Sequence, residues 1–552
     1  MNNINPIIIK LLENRGIKTQ EDILEFLSLN PKKTYDPFLL YNMEEAIELI
    51  EKHLKENNRI CIYGDYDADG ITSVTMLYEA FETVSADVFY YIPSRMEEGY
   101  GLNKEAIDQI ISRGTKLLIT VDCGSVSFDE VEYAKERGLD VIVTDHHNIT
   151  DTKANCILVN PKQPGCTYPF KGLAGVGVTF KLVQAMTKRN IIDKRILAQV
   201  LDLAAIGTIG DIMPLIDENR TIVKFGLREI NKGKRIGITA LIGVAGLKKE
   251  VIDAENIAYI IVPHLNASGR IADATKAVEL LLSKDGADAK VIASELADCN
   301  NTRKRIQEET YQKALGIIGQ ETASDNIIIL PIGEAHEGII GIVAGKVKEK
   351  YNRPTLILAT SGTRDEYYKG TGRSIDKLNL YELLKNGEEL YEKFGGHSGA
   401  CGFLIKKDHF EDFKNCIDLS MKKIIEENKK ENIDIFDNTQ KGDLNITLED
   451  ISEELAEQLE IMAPFGPANP KPLFELDNLI IKDINYLGVD KTHVRFKCQS
   501  GCTEMGCILF GKAQDYKEKI EKGDVVKLVV SPEFNYWNNT RRLQLVVTAI
   551  GE

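Results

Sequence analysis

Long apolar runs are absent from this sequence of 552 residues. The nearest approach is segment 6–12, which Lys10 interrupts and which is shorter than the ~20 residues of a membrane helix. No signal-peptide cleavage pattern follows it. We therefore predict a cytoplasmic chain that has no membrane partner.

Clustered cysteine is also lacking. The chain has ten cysteines, and only Cys498, Cys502 and Cys507 come close together in sequence. Their spacing does not match the paired CxxC arrangement of structural zinc sites. A zinc site is therefore disfavoured, and we predict separate thiols that stay reduced in the cytoplasm.

Basic residues are in deficit. The 68 Lys and Arg residues are outnumbered by 84 Asp and Glu residues, which gives a net charge of −16. Non-specific affinity for polyanions depends on Lys and Arg, so this balance argues against a protein that coats nucleic acid. An enzyme that acts on nucleic acid is not excluded, because bound metal ions and a local basic groove supply positive charge where it is needed.

Strand and helix signals alternate in two stretches of the chain. In the first, the alternation predicts βαβ units and a mostly parallel sheet, and the second is interpreted as another α/β domain. The first stretch predicts strands at 59–63, 86–92, 116–121 and 140–144, and helices at 44–57, 104–112, 128–137, 178–189 and 195–206. The second predicts strands at 326–331, 355–359 and 368–373, and a helix at 338–351. Residues 220–320 are predicted to be mainly helical. Strand-like runs at 479–487, 492–497, 525–531 and 542–548 fit a small β-barrel.

The predicted fold class is therefore α/β, with a parallel-sheet domain, a helical connector, a second α/β domain and a C-terminal β-barrel. The chain length suggests about three to five domains. We place the divisions at an N-terminal segment 1–45, a catalytic domain 46–220, a connector 221–322, a second α/β domain 323–430 and a barrel 440–552.

Carboxylates and imidazoles collect where the predicted strands end. The first strand is followed by Asp65, Asp67 and Asp69, the third by Asp122, the fourth by Asp145, His146 and His147, and a later segment supplies Asp211. Because ligands of open α/β sheets bind outside the carboxyl ends of the strands, we expect these groups to converge. Asp65, taken alone, is also explained as a helix N-cap.

Such a set of acids would repel one another without cations. Asp oxygens together with a His nitrogen suit Mn²⁺, or Mg²⁺ with more water. Two such ions, about 3.5–4 Å apart, hold the attacking and leaving oxygens of a phosphoester. The sequence therefore predicts a two-metal phosphoesterase, with the central Asp122 bridging the ions.

Three motifs carry a resemblance to a known family. Asp145-His146-His147 resembles the signature of the DHH phosphoesterases, while residues 64–70 (GDYDADG) and 207–215 (GTIGDIMPL) resemble their first and fourth motifs. Within that superfamily, nearly the whole chain is similar to the bacterial exonucleases specific for single-stranded DNA. The resemblance implies 5′ to 3′ hydrolysis of single-stranded DNA, in DNA repair and recombination, with two divalent ions, Mn²⁺ or Mg²⁺.

The same resemblance implies a role for each residue of the predicted metal site. Asp67 would hold one ion and Asp69 the other, with Asp122 between them. His146 and Asp211 would complete the second ion's ligands. His147 would face the scissile phosphate or hold a metal ligand in place.

A second set of residues resembles the DHHA1 domain that accompanies this family. Gly396 and His397 belong to the segment GGHSGA, where glycine lets the backbone approach a substrate and His397 would contact a phosphate or the leaving group. Arg373 and Ser374, at the end of a predicted strand, would bind phosphate oxygens.

Three further residues are predicted to contact nucleic acid. His336 would bind an anion at a helix N-terminus, or would only cap that helix. Arg270, in the segment NASGR, would lie near the 5′ phosphate, and Arg95 is another basic candidate, although a surface arginine is usually only solvated. Relatives usually carry an arginine at the position of His264 and a tryptophan at that of Ala335, which affects recognition of the substrate end rather than the metal chemistry.

The predicted barrel resembles an OB-fold that binds single strands. Trp537 is the only tryptophan of the chain, and near it lie Phe534, Tyr536, Arg541 and Arg542. Aromatic rings beside cations are the surface on which unpaired bases stack. Core packing is the alternative explanation for any one of these rings.

Two glycine-rich segments resemble nucleotide-binding loops but depart from them. Residues 172–177 lack the full GxGxxG pattern, and residues 341–346 are one residue too short for a P-loop. We predict that the first segment packs closely around the next helix. Neither segment predicts a nucleotide-triphosphate motor.

The sequence as a whole predicts a metal-dependent exonuclease whose cleft lies between the two α/β domains. One alternative is an oligoribonuclease or nucleotide phosphatase of the same superfamily. Another is a non-catalytic single-strand-binding scaffold, but such a protein would have lost metal ligands that are all present here. Single-stranded DNA is the expected partner, and the resemblance adds a single-strand-binding protein and a helicase.

Overall fold

The computed structural model describes residues 4–95, 98–99, 101–149, 152–247, 251–319, 326–362, 364–488, 490–516, 520–537 and 540–551. The chain divides into two compact units. The first unit contains residues 1–262, 278–289 and 440–552, and the second contains residues 263–277 and 290–439. Within the described ranges, no helix is both long enough and apolar enough to cross a membrane.

A five-stranded parallel sheet lies in the first unit. Its strands are β1 (Ile60–Gly64), β2 (Val88–Tyr91), β3 (Leu117–Val121), β4 (Asp140–Thr144) and β5 (Ile157–Val159), in the order β2-β1-β3-β4-β5. Every neighbouring pair is parallel. The four predicted strands are confirmed, and β5 is an addition whose three residues are too few for a periodic signal.

Helices precede this sheet, connect its strands and follow its last strand. They are α1 (Pro6–Asn14), α2 (Gln20–Leu27), α3 (Met43–Lys55), α4 (Ala68–Glu82), α5 (Lys104–Ser112), α6 (Phe128–Glu136), α7 (Gly175–Lys188), α8 (Ile196–Gln199), α9 (Leu201–Gly210), α10 (Asp217–Asn231) and α11 (Ile236–Val244). The helix predicted at 195–206 is two helices that meet at Val200. Helix α4 had not been predicted, because it is buried on nearly every side and so lacks the one-sided apolar pattern of a surface helix.

The connector is mainly helical, as predicted. Helix α12 (Ala254–Asn256) leads through a π-helical turn at Ile257–Ile261 into α13 (Val262–Ile271). Helices α14 (Thr275–Leu282) and α15 (Gly286–Ile317) follow. The two compact units divide these helices between them, since the first unit includes 278–289 and the second 263–277.

The second unit contains a mixed sheet. Its strands are β6 (Ile328–Gly333), β7 (Thr355–Thr360), β8 (Tyr367–Arg373), β9 (Tyr391–His397) and β10 (Ala400–Lys406), in the order β6-β7-β8-β10-β9. Strands β6 and β7 pair in parallel, and the other pairs are antiparallel. Helices α16 (Glu337–Tyr351), α17 (Leu380–Lys385) and α18 (Phe410–Lys430) accompany the sheet. The second α/β region is thereby confirmed.

The C-terminal region is a closed barrel, as predicted. Its strands are β11 (Leu444–Asn445), β12 (Phe474–Leu487), β13 (His493–Ser500), β14 (Thr503–Leu509), β15 (Val525–Trp537) and β16 (Thr540–Gly551). Pairing between β12 and β15 closes the sheet. Two short helices, α19 (Glu453–Ile461) and α20 (Ala513–Tyr516), belong to the same region.

The N-terminal helices share the core of this barrel. Ile8 and Leu12 of α1 are fully buried in one apolar cluster with Leu455 and Phe474. Arg220 of α10 adds a polar link, because its guanidinium donates to the backbone oxygens of Phe26 (3.0 Å) and Met462 (2.8 Å). Removing the barrel would therefore expose the apolar side of α1.

Candidate active site

Three aspartates follow β1 within one turn of chain. Asp65 is buried and comes directly after the strand. Asp67 caps α4, since its carboxylate accepts hydrogen bonds from the N–H groups of Asp69 (2.9 Å) and Gly70 (3.2 Å). Gly70 is required here, because a Cβ atom would lie 2.3 Å from the backbone oxygen of Asp65. The N-cap explanation of Asp65 is thus wrong, since Asp67 occupies that position.

The glycine-rich segment 172–177, which runs into the start of α7, holds one of these aspartates. The N–H groups of Gly175 and Val176, the first residues of α7, donate to the carboxylate of Asp69 at 2.6 and 2.7 Å. A Cβ atom on Gly175 would lie 2.5 Å from Asp122, so glycine permits the close approach of helix and carboxylate. The prediction that this segment serves close packing is confirmed.

Asp122 and His146 lie at the centre of the group. Asp122 follows β3 with φ at 62°, a left-handed conformation that Asp tolerates better than most residues. The Nε2 atom of His146 lies 3.2 Å from Asp122 Oδ1, 3.4 Å from Asp211 Oδ2 and 3.8 Å from Asp69 Oδ2. Neither His146 Nε2 nor Asp122 Oδ1 makes a hydrogen bond, although both atoms are buried.

The pKa values reflect the crowding of like charges. Burial raises the pKa of Asp65, Asp69 and Asp122 above the ordinary range, and the neighbouring carboxylates raise it further. Burial and the nearby Asp67 raise the pKa of Asp211 to about 7. Burial lowers the pKa of His146 to about 3, so its ring stays neutral and keeps a nitrogen lone pair.

We call these six residues the carboxylate cluster: Asp65, Asp67, Asp69, Asp122, His146 and Asp211. Two triads within it have ligand atoms that lie within 4.8 Å of one another, namely Asp69 with His146 and Asp211, and Asp65 with Asp67 and Asp122. The structure thus brings together all five ligands that the sequence predicted and adds Asp65. Buried oxygens facing a neutral imidazole fit divalent cations, because a cation would offset the repulsion among the crowded carboxylates.

His147 lies beside the cluster and is held by Asp145. The carboxylate of Asp145 accepts from the N–H groups of His146 (2.7 Å) and His147 (3.1 Å) and contacts His147 Nδ1 at 2.8 Å. Burial opposes the charge on both groups, but their pairing outweighs it, holding the Asp145 pKa below its usual range and raising that of His147 to about 9. The side chain of His147 is 45% exposed, and one of its ring nitrogens lies within 4.8 Å of ligand atoms of Asp122 and His146.

Sequence reasoning missed the residues that hold this pair in place. Ser125 N–H donates to Asp145 Oδ2 at 2.9 Å. The amide of Asn160 donates to Ser125 Oγ (2.9 Å) and to the backbone oxygen of His147 (2.9 Å). Asn160 follows strand β5, which was not predicted. Its position at a strand end could therefore not be recognised from the sequence.

Two basic residues stand near the cluster in the first unit. The guanidinium of Arg95 lies 5.0 Å from the ring centre of Tyr66, in the loop that carries Asp65 and Asp67. Burial lowers the pKa of Lys162, whereas the negative charge of Asp211 raises it. The Lys162 ammonium therefore lies close enough to interact electrostatically with the cluster. Like Asn160, Lys162 lies just after β5, and it was not predicted for the same reason.

The second unit gathers basic residues around the start of α16. His336 caps this helix, its Nδ1 accepting from Gly338 N–H at 3.2 Å. Arg270 donates to the backbone oxygen of Gly338 at 2.8 Å. The guanidinium of Arg373 lies against Gly341, where an added Cβ would be 2.9 Å from its Nη2. We call Arg270, His336, Arg373 and His397 the cationic set, after its two arginines.

Strand register brings His397 to Arg373, because Ala400 of β10 pairs with both residues. Burial lowers the pKa of His397, and Arg373 lowers it further. Gly396 has φ at 145° and an added Cβ would lie 2.3 Å from Ala400 O, so the turn requires glycine. The Ser374 hydroxyl donates to Leu378 O at 2.6 Å.

The aromatic and basic residues predicted to bind bases in the barrel differ in their surroundings. The guanidinium of Arg541 lies 3.4 Å from the ring centre of Phe534 and also donates to Glu457 at 2.8 Å. Tyr536 is 66% exposed. The side chain of Trp537 lies outside the described part of the structure.

Comparison with known proteins agrees with this architecture. Three family models match the chain: the DHH family N-terminal domain at residues 59–208, the DHHA1 domain at 324–423 and the RecJ OB domain at 442–549. The single-stranded-DNA-specific exonuclease RecJ of Bacillus subtilis is 36% identical over 549 residues, covering 99% of this chain and 68% of that protein.

Two crystal structures of Thermus thermophilus RecJ cover the whole of this chain. The complex with Mn²⁺ has a TM-score of 0.82, with 28% identity and 76% of that chain covered. The complex with Mg²⁺ has a TM-score of 0.75, with 27% identity and 75% covered. The protein described here belongs to the RecJ family of single-stranded-DNA-specific exonucleases.

Proposed function

We propose that this chain hydrolyses single-stranded DNA from its 5′ end, using two divalent ions, Mn²⁺ or Mg²⁺, in DNA repair and recombination. The observation that carries the proposal is the carboxylate cluster, in which buried carboxylate oxygens and a neutral imidazole converge while Asp65 Oδ1, Asp122 Oδ1 and His146 Nε2 make no hydrogen bond. RecJ relatives that are named single-stranded-DNA-specific exonucleases, or that were crystallised with Mn²⁺ or Mg²⁺, support the substrate and the ions.

The chain's own residues divide the work. Asp69, His146 and Asp211 would hold one ion, Asp65 and Asp67 the other, and Asp122 would contribute to both. Bound divalent ions would activate water and offset the negative charge that develops on the phosphodiester. The Asp145 carboxylate holds His147 in a charged form, so that its imidazolium would donate to the scissile phosphate.

The cationic set would bind phosphates of the strand. Arg373 presents a planar fork suited to phosphate oxygens, and its neighbour His397 would donate to the phosphate or to the leaving oxygen. Arg270 and His336 lie at the start of α16, where backbone N–H groups also favour anions. Ser374, Gly396, Arg95 and Trp537 complete the set of proposed DNA contacts.

The remaining assignments are proposals of the same kind. The divisions 1–45, 46–220, 221–322, 323–430 and 440–552 are supported by the three family-model spans, which fall within the second, fourth and fifth of them. Bacterial relatives support a cytoplasmic location. A single-strand-binding protein and a helicase would be the further partners.

Degradation of end-blocked strands tests the proposal. Single-stranded DNA blocked at either its 5′ or its 3′ end is incubated with the full chain and Mn²⁺, and in parallel with a chelator. We expect loss of the strand only with Mn²⁺ and only when the 5′ end is free. Degradation that needs a free 3′ end instead would contradict the direction, and strand binding without hydrolysis in the presence of Mn²⁺ would support the non-catalytic scaffold.

A further inference from the structure

The chain leaves α9 through an uncommon turn at Ile212, the residue after Asp211. Ile212 has φ at 57°, in the left-handed region. Its N–H donates to Ile209 O at 3.1 Å, and the N–H of Met213 donates to Thr208 O at 3.2 Å. This pair of hydrogen bonds is the helix ending in which the left-handed position usually belongs to glycine or asparagine.

Isoleucine is a poor choice for that position. A β-branched side chain crowds the backbone at positive φ, so such a residue is an outlier there. Among the described residues, twelve other than glycine have positive φ; six of these are asparagine, and Ile212 alone is β-branched. Glycine would relieve the crowding and would keep both hydrogen bonds.

Packing does not explain why isoleucine stands there. The side chain of Ile212 is 73% exposed, so it adds almost nothing to the apolar core. It follows Asp211 directly, with Cα atoms about 3.8 Å apart. Asp211 Oδ2 in turn lies 3.4 Å from His146 Nε2, within the carboxylate cluster. An exposed apolar group is thus held, against backbone preference, at the edge of that cluster.

We propose that Ile212 is a substrate-binding residue whose side chain packs against the base of the strand's terminal nucleotide. The inference rests on the proposed exonuclease function and deepens it. A phosphate held at the carboxylate cluster carries its own nucleotide within reach of the next residue along the chain. An apolar side chain contacts the face of any base, which suits an enzyme that degrades strands regardless of sequence.

Two variants and a matched control separate this role from a structural one. Ile212→Asn and Ile212→Gly both suit the left-handed position but remove the apolar side chain. Asn190→Gly changes the equivalent position after α7, where φ is 56° and Asn190 N–H and Ile191 N–H make the same two bonds, at 3.1 and 3.0 Å. Each full-length variant degrades, with Mn²⁺, a strand ending in a 5′ thymidine and the same strand with an abasic 5′ residue.

We expect both Ile212 variants to raise KM for the thymidine-ended strand about tenfold, the loss of one apolar contact to a base. On the abasic strand they should stay within about twofold of wild type, because the contacted base is gone. Their melting temperatures should be no lower than that of wild type, and Asn190→Gly should change neither KM.

Equal losses on both strands would overturn the inference, as would no loss on either strand, since neither result requires a contact with the base. Failure of the wild-type chain to degrade either strand with Mn²⁺ would overturn the proposed exonuclease function itself, and this inference with it. The two failures are therefore distinguishable.

Discussion

The carboxylate cluster of the first unit and the cationic set of the second differ in how their charges are satisfied. In the cluster, buried acceptors such as Asp65 Oδ1 and Asp122 Oδ1 have no hydrogen bond, and burial raises the carboxyl pKa values. In the cationic set, Arg270 and Arg373 donate to backbone oxygens of their own unit. The first arrangement needs cations from outside, whereas the second presents cations already held in place.

Neutralising one member of the cluster should have the largest effect and would break the comparison most directly. We expect Asp122→Asn to lower kcat about 10³-fold or more, beyond the roughly 10–100-fold cost of losing a residue behind a metal ligand. Asn tolerates the left-handed φ of 62°, so the backbone should keep its form. The measurement is the rate of strand degradation over a Mn²⁺ titration.

The same substitution should raise the stability of the metal-free protein, because it removes one buried charge from a cluster of like charges. Mn²⁺ should then raise the melting temperature of wild type more than that of the variant. Asp193→Asn, at an exposed aspartate that hydrogen-bonds Arg195, serves as the control. An Asp122→Asn protein with near-normal activity would refute the central place of Asp122.

The sequence predicted where the cluster lies, because the carboxyl ends of parallel strands meet at one edge of a sheet. Within a few residues of such a strand end lie Asp67, Asp69, Asp122 and His146. Asp211 comes from a helix end, and its motif alone pointed to it. Roles that depend on exact backbone geometry were not visible. Asp67 rather than Asp65 caps α4, and Asn160, which holds His147, follows a strand of only three residues.

Arg373 tests the other side of the comparison. We expect Arg373→Ala to raise KM about 10–100-fold, since it removes a charge-assisted fork from a phosphate while leaving the metal ligands intact. The slope of log KM against log salt concentration should fall by about one, the value for the loss of one phosphate contact. Half-saturation by Mn²⁺ should not change. Arg364→Ala, which removes an exposed arginine near Glu392, should leave both KM and its salt dependence unaltered.

Asp145 shares a feature with each side of the comparison. It is a buried anion whose hydrogen bonds are satisfied within the protein, and it holds the imidazolium of His147 beside the cluster. Asp145→Asn should lower kcat about 10–100-fold, as for other residues that orient a metal-site group. Because this loss of kcat would come from a misoriented His147 and not from weaker strand binding, KM should stay nearly unchanged. Ser125→Ala removes a hydroxyl that accepts from Asn160 and hydrogen-bonds Asp145, but it keeps the carboxylate and the backbone N–H that donates to it, so it should lose less activity than Asp145→Asn. Equal loss in both variants would contradict an orienting role for Asp145.

The smallest expected effect lies in the barrel, where the side chain to be changed is a single exposed ring. Tyr536→Ala should raise KM for long strands about 5–10-fold, the cost of one stacking ring, and leave hydrolysis of a dinucleotide unchanged. A substitution suits this test better than deletion of the barrel, because deletion would expose the α1 side chains that share its core. Phe510→Ala is the control, since Phe510 is another exposed barrel ring but packs edge-on against His493 at 5.6 Å. Unchanged KM on long strands would favour an enzyme of short oligonucleotides, whereas equal loss from Phe510→Ala would indicate a loosened barrel rather than a lost base contact.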